Sequence, residues 1–318
     1  EAPVELMNAI DRMMPMLRLF RHGDGALALF NGMSATAPDT VATLLAYQDT
    51  RSPAIENAPL SGYRRLQGGD TVVIIDAGRP PPEIFSSTAH AGCLSFELSC
   101  GLQRMVINCG APVGLHDHRR ALARATAAHS TMTLNDTSSC HFASANAEHC
   151  PEGGVLISGP RSVRVTREDD DTSDRVVASH DGYRALFGVD HTRSLTLSKT
   201  GDWLSGEDYF NLVKPRRAAE VPDSFVLRFH LHPQIEVDIS ADQTAIYLGG
   251  VETGVWTFSA GGLLLAIEES VFFAGLHGSR RTRQIVVTGN FRQTPLVRWL
   301  FVRDGGSYEG QADDSGRD

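Results

Sequence analysis

Three groups of residues in this chain have the types and spacing to do chemistry. The first is Arg228-Phe229-His230-Leu231-His232-Pro233, in which Arg228, His230 and His232 share one parity of an extended segment and face one way. An arginine fork suits an anionic sugar. Two imidazoles one residue apart could share a metal, but no third ligand can be named for them. The segment reads either as a substrate contact or as an internal polar ladder. The second group is His180-Asp181-Gly182-Tyr183, closing the apolar run Val176-Val177-Ala178, with His191 following on the next strand. Gly182 permits a tight turn, so Tyr183 is expected to project from a rim with His191 lining the same groove. His180, Tyr183 and His191 are therefore candidate acid–base auxiliaries or sugar contacts. The competing reading is a structural corner in which the Tyr hydroxyl caps backbone. In the third group, His116 and His118 flank Asp117, as a metal pair or a polar loop. Trp203 and Trp256 are sugar-stacking platforms or core residues.

Strands must position most of these groups. From about residue 66 onward, short alternating or β-branched runs are separated by Gly, Asp, Asn and Ser. Leu94, Phe96, Leu98 and Cys100 point one way while Ser95, Glu97 and Ser99 point the other. More than a dozen such runs without intervening helices predict a mainly β protein, a large antiparallel double-sheet β-sandwich with one N-terminal helix. That helix is read from Leu6, Ile10, Met13, Leu17 and Phe20 at three- and four-residue steps. Pro3 and the His22-Gly23-Asp24-Gly25 segment mark its ends, and Pro15 is expected to kink or divide it. Its apolar stripe needs a partner.

At 318 residues, 42% hydrophobic and 21% charged, the chain has the composition of an ordinary globular protein with a substantial core. A net charge of -9 argues against a nucleic-acid surface but not against an acidic polysaccharide, since binding follows local potential. Arg216-Arg217 and Arg280-Arg281-Arg283 would supply such a potential, or are solvated charge. No apolar run reaches membrane-spanning length. Cys93, Cys100, Cys109, Cys140 and Cys150 have no metal-type spacing, and their odd number leaves at least one thiol free, which leans toward a reducing compartment.

Several segments in order resemble heparinase II/III-like proteins. They are Thr88-Ala89-His90-Ala91-Gly92-Cys93-Leu94-Ser95-Phe96-Glu97, then Val106-Ile107-Asn108-Cys109-Gly110, then Ala128-His129-Ser130-Thr131. Further on come His180-Asp181-Gly182-Tyr183 with His191, Gly206-Glu207-Asp208, the Arg228 to His232 segment, and Arg281-Thr282-Arg283-Gln284-Ile285. The resemblance implies a supersandwich-like fold preceded by an (α/α) toroid, of which residues 1–32 are similar to the last helix. It implies residues 33–214 as a sandwich layer with a metal site and 215–303 as strands of the same sandwich or a sub-domain. Residues 304–318 form a Gly-, Ser- and Asp-rich tail expected to be disordered.

The resemblance also implies a lyase that cleaves uronate-containing acidic polysaccharide by β-elimination. In that family the main catalytic groups come from the toroid, so the sandwich portion alone is expected to be inactive and to need the toroid as its partner. The implied zinc site maps to His90, Asn108 and His129. Three departures weaken it. Thr88 stands where the pattern has a His thought to take part in catalysis, Gly92 replaces an Asp-like position, and the ligand Asp has become Asn108, a poorer ligand. An alternative follows from Thr88 and Asn108, a non-catalytic carbohydrate-binding or assembly module of the same fold. The family leans toward the cell envelope or periplasm, the thiols toward the cytoplasm.

Overall fold

Helix α1 (Val4–Leu19) begins directly after Pro3, as expected, and closes at Phe20. Pro15 does not divide it. Proline removes only the one N–H that would reach back four residues, and the turns on either side hold. The apolar stripe is not covered: Leu6, Ile10 and Met13 are 51%, 37% and 65% exposed, and only Met14 and Leu19 at the C-terminal end are buried. A second helix, α2 (Pro38–Ala46), corrects the expectation of a single N-terminal helix. Pro38 occupies the first helical position, where its missing N–H costs nothing, and Asp39 lies in the positive first turn. At nine residues it is too short for a clear 3.6-residue period. Two one-turn helices, α3 (Arg119–Ala123) and α4 (Arg184–Phe187), sit in connections.

The computed structural model describes residues 3–46, 54–114, 118–143, 154–213, 223–250, 254–306 and 308. His116, Asp117, Cys150, Arg216, Arg217 and most of the 304–318 tail lie outside them. In chain order the early strands are β1 (Tyr63–Gly68), β2 (Thr71–Asp76), β3 (Phe96–Cys100), β4 (Gln103–Ile107), β5 (Met132–Leu134), β6 (His141–Phe142) and β7 (Leu156–Ser158). The middle ones are β8 (Val163–Asp169), β9 (Ser173–His180), β10 (Val189–Ser198), β11 (Trp203–Leu212) and β12 (Ser224–Leu231). The last are β13 (Glu236–Ile239), β14 (Ala245–Gly250), β15 (Gly254–Ser259), β16 (Leu265–Phe272), β17 (Arg280–Asn290) and β18 (Leu296–Arg303).

Sixteen of these make two eight-stranded antiparallel sheets. One runs β1-β2-β3-β4-β12-β17-β16 with β5 also paired to β12, the other β13-β14-β15-β18-β11-β10-β9-β8. Each sheet takes strands from both sides of residue 214, so the two stretches interleave in a single sandwich. The sheets face each other across one apolar core whose centre is aromatic: Phe96, Phe229, Phe258, Trp299 and Phe301 touch in sequence, and Trp256 is fully buried. Trp256 is therefore core and offers no face to a sugar. Trp203 is half-buried, edge-on to Tyr308 at 5.0 Å.

Two polar features organise this core. Arg193 on β10 is completely buried and forks onto Asp208 of β11, with Nε to Oδ1 at 2.8 Å and Nη2 to Oδ2 at 3.0 Å. Its Nη1 crosses to the other layer and donates to the carbonyls of Leu94 (2.9 Å) and Ser130 (2.8 Å). The Trp299 indole N–H donates to Asp208 at 2.8 Å while its ring stacks on Phe96 at 5.5 Å. That placement requires Gly206, Trp299's partner in register, because a Cβ there would lie 2.1 Å from the indole.

The second feature is β3, buried on both faces. Its apolar face enters the core, and its polar face lies under the segment that follows α1. There Glu97, wholly buried, accepts His22 Nε2 at 3.0 Å and the Leu29 N–H at 2.9 Å, while His22 Nδ1 meets Ser99 Oγ at 2.8 Å. Removing one member of a buried, hydrogen-bonded pair strands the other charge in the interior. Asp208→Ala should therefore cost about 3–5 kcal/mol in equilibrium urea denaturation. A loss below about 1 kcal/mol, the range of an exposed pair, would show that the pair is not a structural tie.

Candidate functional site

Of the three residues implied as metal ligands, the His90 and His129 rings meet, and the Asn108 amide bonds the Ser130 N–H beside His129. His90 sits in a loop held by Arg124, a buried arginine that donates to the carbonyls of Ala89 (2.7 Å), Ser86 (2.8 Å) and Gly154 (2.8 Å). The Asn31 side chain accepts the His90 N–H at 3.0 Å. Asn108 follows β4, and His129 follows a single turn that leads into β5. His90 Nδ1 and His129 Nε2 are 3.2 Å apart, with the rings nearly perpendicular. His90 is 6% exposed, His129 1% and Asn108 not at all.

The tautomers follow from the partners. His129 Nδ1 faces the Ala125 carbonyl at 2.8 Å, which can only accept, so that nitrogen carries the proton. Its Nε2 is then a lone pair, and His90 Nδ1–H donates to it. Burial, with the neighbouring His129, holds His90 far below the ordinary histidine range. Burial likewise lowers His129 to about 4, against a carbonyl and a distant Glu97 that favour the proton. Gly92 is what admits the His129 ring: a Cβ there would stand 2.7 Å from it. Thr88, two residues before His90, is exposed.

Does this cluster suit a zinc ion? The imidazole separation alone would allow it, since two nitrogens at about 2.0–2.1 Å from a tetrahedral ion lie little more than 3 Å apart. The third position does not fit. Asn108 Oδ1 accepts the Ser130 N–H at 3.0 Å, and its Nδ2 donates to Glu97 Oε1 at 3.3 Å. Among the described residues there is no group of three or more His, Cys, Asp or Glu able to hold a metal.

The second predicted group is brought together as well, but inside. His191 Nε2 meets Asp208 Oδ1 at 2.6 Å, and His191 Nδ1 lies 3.4 Å from His180 Nε2. His180 Nδ1 accepts the Gly182 N–H at 3.0 Å. Tyr183 does not project from a rim: it is fully buried, and its hydroxyl donates to the Met132 carbonyl at 2.8 Å. The turn folds inward because the ring packs on Phe187 and His180. Burial would raise the Asp208 carboxyl, but the Arg193 charge and the bonds from His191 and Arg193 outweigh it and hold it well below the carboxylate range.

The side chains of the first predicted group, Arg228, His230 and His232, take different partners. Arg228 donates to Thr133 Oγ1 at 2.7 Å. His230 Nε2–H donates to the Ala127 carbonyl at 3.0 Å, leaving Nδ1 to accept from Ser270 Oγ at 2.7 Å, with Cys109 Sγ at 3.5 Å. His232 lies edge-on to Phe272 at 5.4 Å, and its Nδ1 is buried without a hydrogen-bond partner among the described residues. Burial lowers both imidazoles to about 3. Cys93, Cys100, Cys109 and Cys140 are free and buried.

Sequence reasoning missed Arg193, Arg124 and the joint at Ser130, whose N–H serves Asn108 and whose carbonyl serves Arg193. A signal for Arg193 was present: it shares the parity of Val189, Leu195 and Leu197, so its charge falls on the core side and demands a partner on the next strand.

A family model described as heparinase II/III-like, C-terminal, matches residues 50–300. The chain belongs to the heparinase II/III-like family. Its sandwich is similar to that of heparan sulfate lyase HepC from Pedobacter heparinus, with a TM-score of 0.71 at 14% identity over 94% of this chain and 47% of that one. A heparinase III structure gives 0.68 at 11% identity over 94% and 49%. These likenesses show the fold. A curated relative, "FtsZ-localized protein C" from Caulobacter vibrioides, is 33% identical over 313 residues, 96% of this chain and 53% of the relative. The chain thus spans about half the length of these relatives, and through its family it is related to polysaccharide lyases. No helix among the described residues is long and apolar enough to cross a membrane.

The neutral buried histidines give stability a pH dependence of known sign. Below their ordinary value of 6.5 the unfolded chain takes up protons that His129, His230 and His232 refuse until about 4, 3 and 3. Stability is complete above pH 6.5 and falls as the pH drops, by up to about 1.4 kcal/mol per pH unit for each ring. Urea midpoints measured from pH 7 to 5 should decline, and His230→Gln should make that decline shallower. Parallel slopes for the two proteins would contradict the assignment.

Proposed function

We propose that this chain is the sandwich half of a heparinase-fold protein that works as a non-catalytic assembly module at FtsZ-based structures. The observation that carries the reading is the state of the polar groups. The sandwich residues that the family resemblance offered as metal ligands or acid–base auxiliaries are here engaged with other protein groups: His90 with His129, Asn108 with Glu97 and Ser130, Tyr183 with Met132. A group spent in this way and shut from solvent cannot exchange protons with a polymer. Thr88, the exposed position that the family pattern gives to a histidine, carries a hydroxyl with no basicity near neutral pH. The relative named for its localisation with FtsZ supplies the partner class.

The apolar stripe of α1 and the half-length match to the relatives support a further segment packing there, and an (α/α) toroid is the proposed occupant. Four buried free thiols favour the reducing of the two compartments, the cytoplasm. The lyase reading rests on the fold, which hosts chemistry only where a site provides it.

One comparison tests both. The full-length protein should pellet with polymerised FtsZ and should release no ultraviolet-absorbing unsaturated uronate from heparan sulfate, alginate or other uronate polymers. Turnover of any of these, without pelleting, would replace the assembly reading by the lyase one.

A further inference from the structure

We infer that the His90–Asn108–His129 corner is a metal-independent hydrogen-bonded replacement for a metal centre, with Asn108 as the residue that makes it so. This inference stands apart from the assembly reading, since a sandwich without metal is compatible with either function.

The argument begins at Glu97. This buried carboxylate is acceptor-only, and its Oε1 already receives the N–H groups of Leu29 and Asn108 at 2.9 Å each. Residue 108 must therefore turn a donor toward it, which the amide Nδ2 does at 3.3 Å. The amide oxygen is then directed to the other side, where the Ser130 N–H needs an acceptor and finds one at 3.0 Å. Reversing the amide would set oxygen against carboxylate and NH2 against N–H, so both neighbours select a single orientation. A carboxylate at position 108 would face Glu97 at the same short distance, an arrangement tolerable only with a proton or a cation between them.

Glu97 cannot take over as the missing ligand. Its other oxygen is held by His22 Nε2 at 3.0 Å. Nor do the imidazoles remain free. His129 Nδ1–H is committed to the Ala125 carbonyl and its Nε2 to His90, so one shared proton occupies the space between the two nitrogens where an ion would sit. The Asn108 amide, both nitrogens of His129 and Nδ1 of His90 are each matched with a group of complementary kind, which holds the corner together without an ion.

The test uses the full-length protein purified without chelator. The expected result is a zinc content by mass spectrometry well under one ion per chain, with a melting temperature unmoved by EDTA or by added zinc. Asn108→Asp should create what the wild type lacks. Its melting temperature should start below that of the wild type, then rise by at least about 4 °C with zinc and fall back with EDTA. About one zinc per chain in the wild type, or a melting temperature lowered by EDTA, overturns the inference. An Asn108→Asp protein indifferent to zinc overturns the role given to Asn108. The wild-type measurements decide the metal question even where the variant does not accumulate.

Discussion

A single buried polar chain ties the parts of this molecule together. It starts at Asp208 and Arg193 in one sheet, crosses the core through the Ser130 carbonyl, continues from the Ser130 N–H to Asn108, and passes to Glu97 and His22 beside the N-terminal segment. Apolar contact between two sheets is non-directional and would tolerate sliding. Charged, hydrogen-bonded groups in a low-dielectric interior do not, because each displaced partner leaves a desolvated charge. The chain of bonds therefore fixes the register of one layer on the other and the seat of the segment that follows α1.

This constraint shapes the chemistry available. A histidine that donates to a backbone carbonyl and accepts from another ring is a structural element, and burial keeps it neutral. His191 is similar: its proton is committed to Asp208, and its other nitrogen faces His180. The heparinase-like sandwich is retained, while the polar residues inside it serve cohesion.

Local pattern made much of the fold legible. The alternation in β9 is strict, with every second residue buried, because one of its faces packs on the core and the other meets water. In β3 the same alternation was correct in direction, yet its polar face is buried too, under a segment nearly 70 residues earlier in the chain. Nothing local to Glu97 encodes that cover. Helix α2 was overlooked for a different reason: it lacks the length for periodicity, and its signals are confined to Pro38 and Asp39. Tyr183 was misplaced because Gly182 dictates a turn but not which way the next ring points.

The sequence by itself determined the strand-rich architecture and the start of α1, since alternation and turn residues are properties of short segments; the ordered motifs carried the family resemblance, and it was that resemblance that implied the meeting of His90 with His129. Only the tertiary structure decided what those residues do once they meet. Whether an imidazole binds a ligand, exchanges a proton or merely holds a loop depends on which distant groups complete its hydrogen bonds and how far water is excluded. For the His90 ring that group is His129 and for the Tyr183 hydroxyl it is the Met132 carbonyl, both set in place by packing, while His129 is held locally by the Ala125 carbonyl four residues earlier.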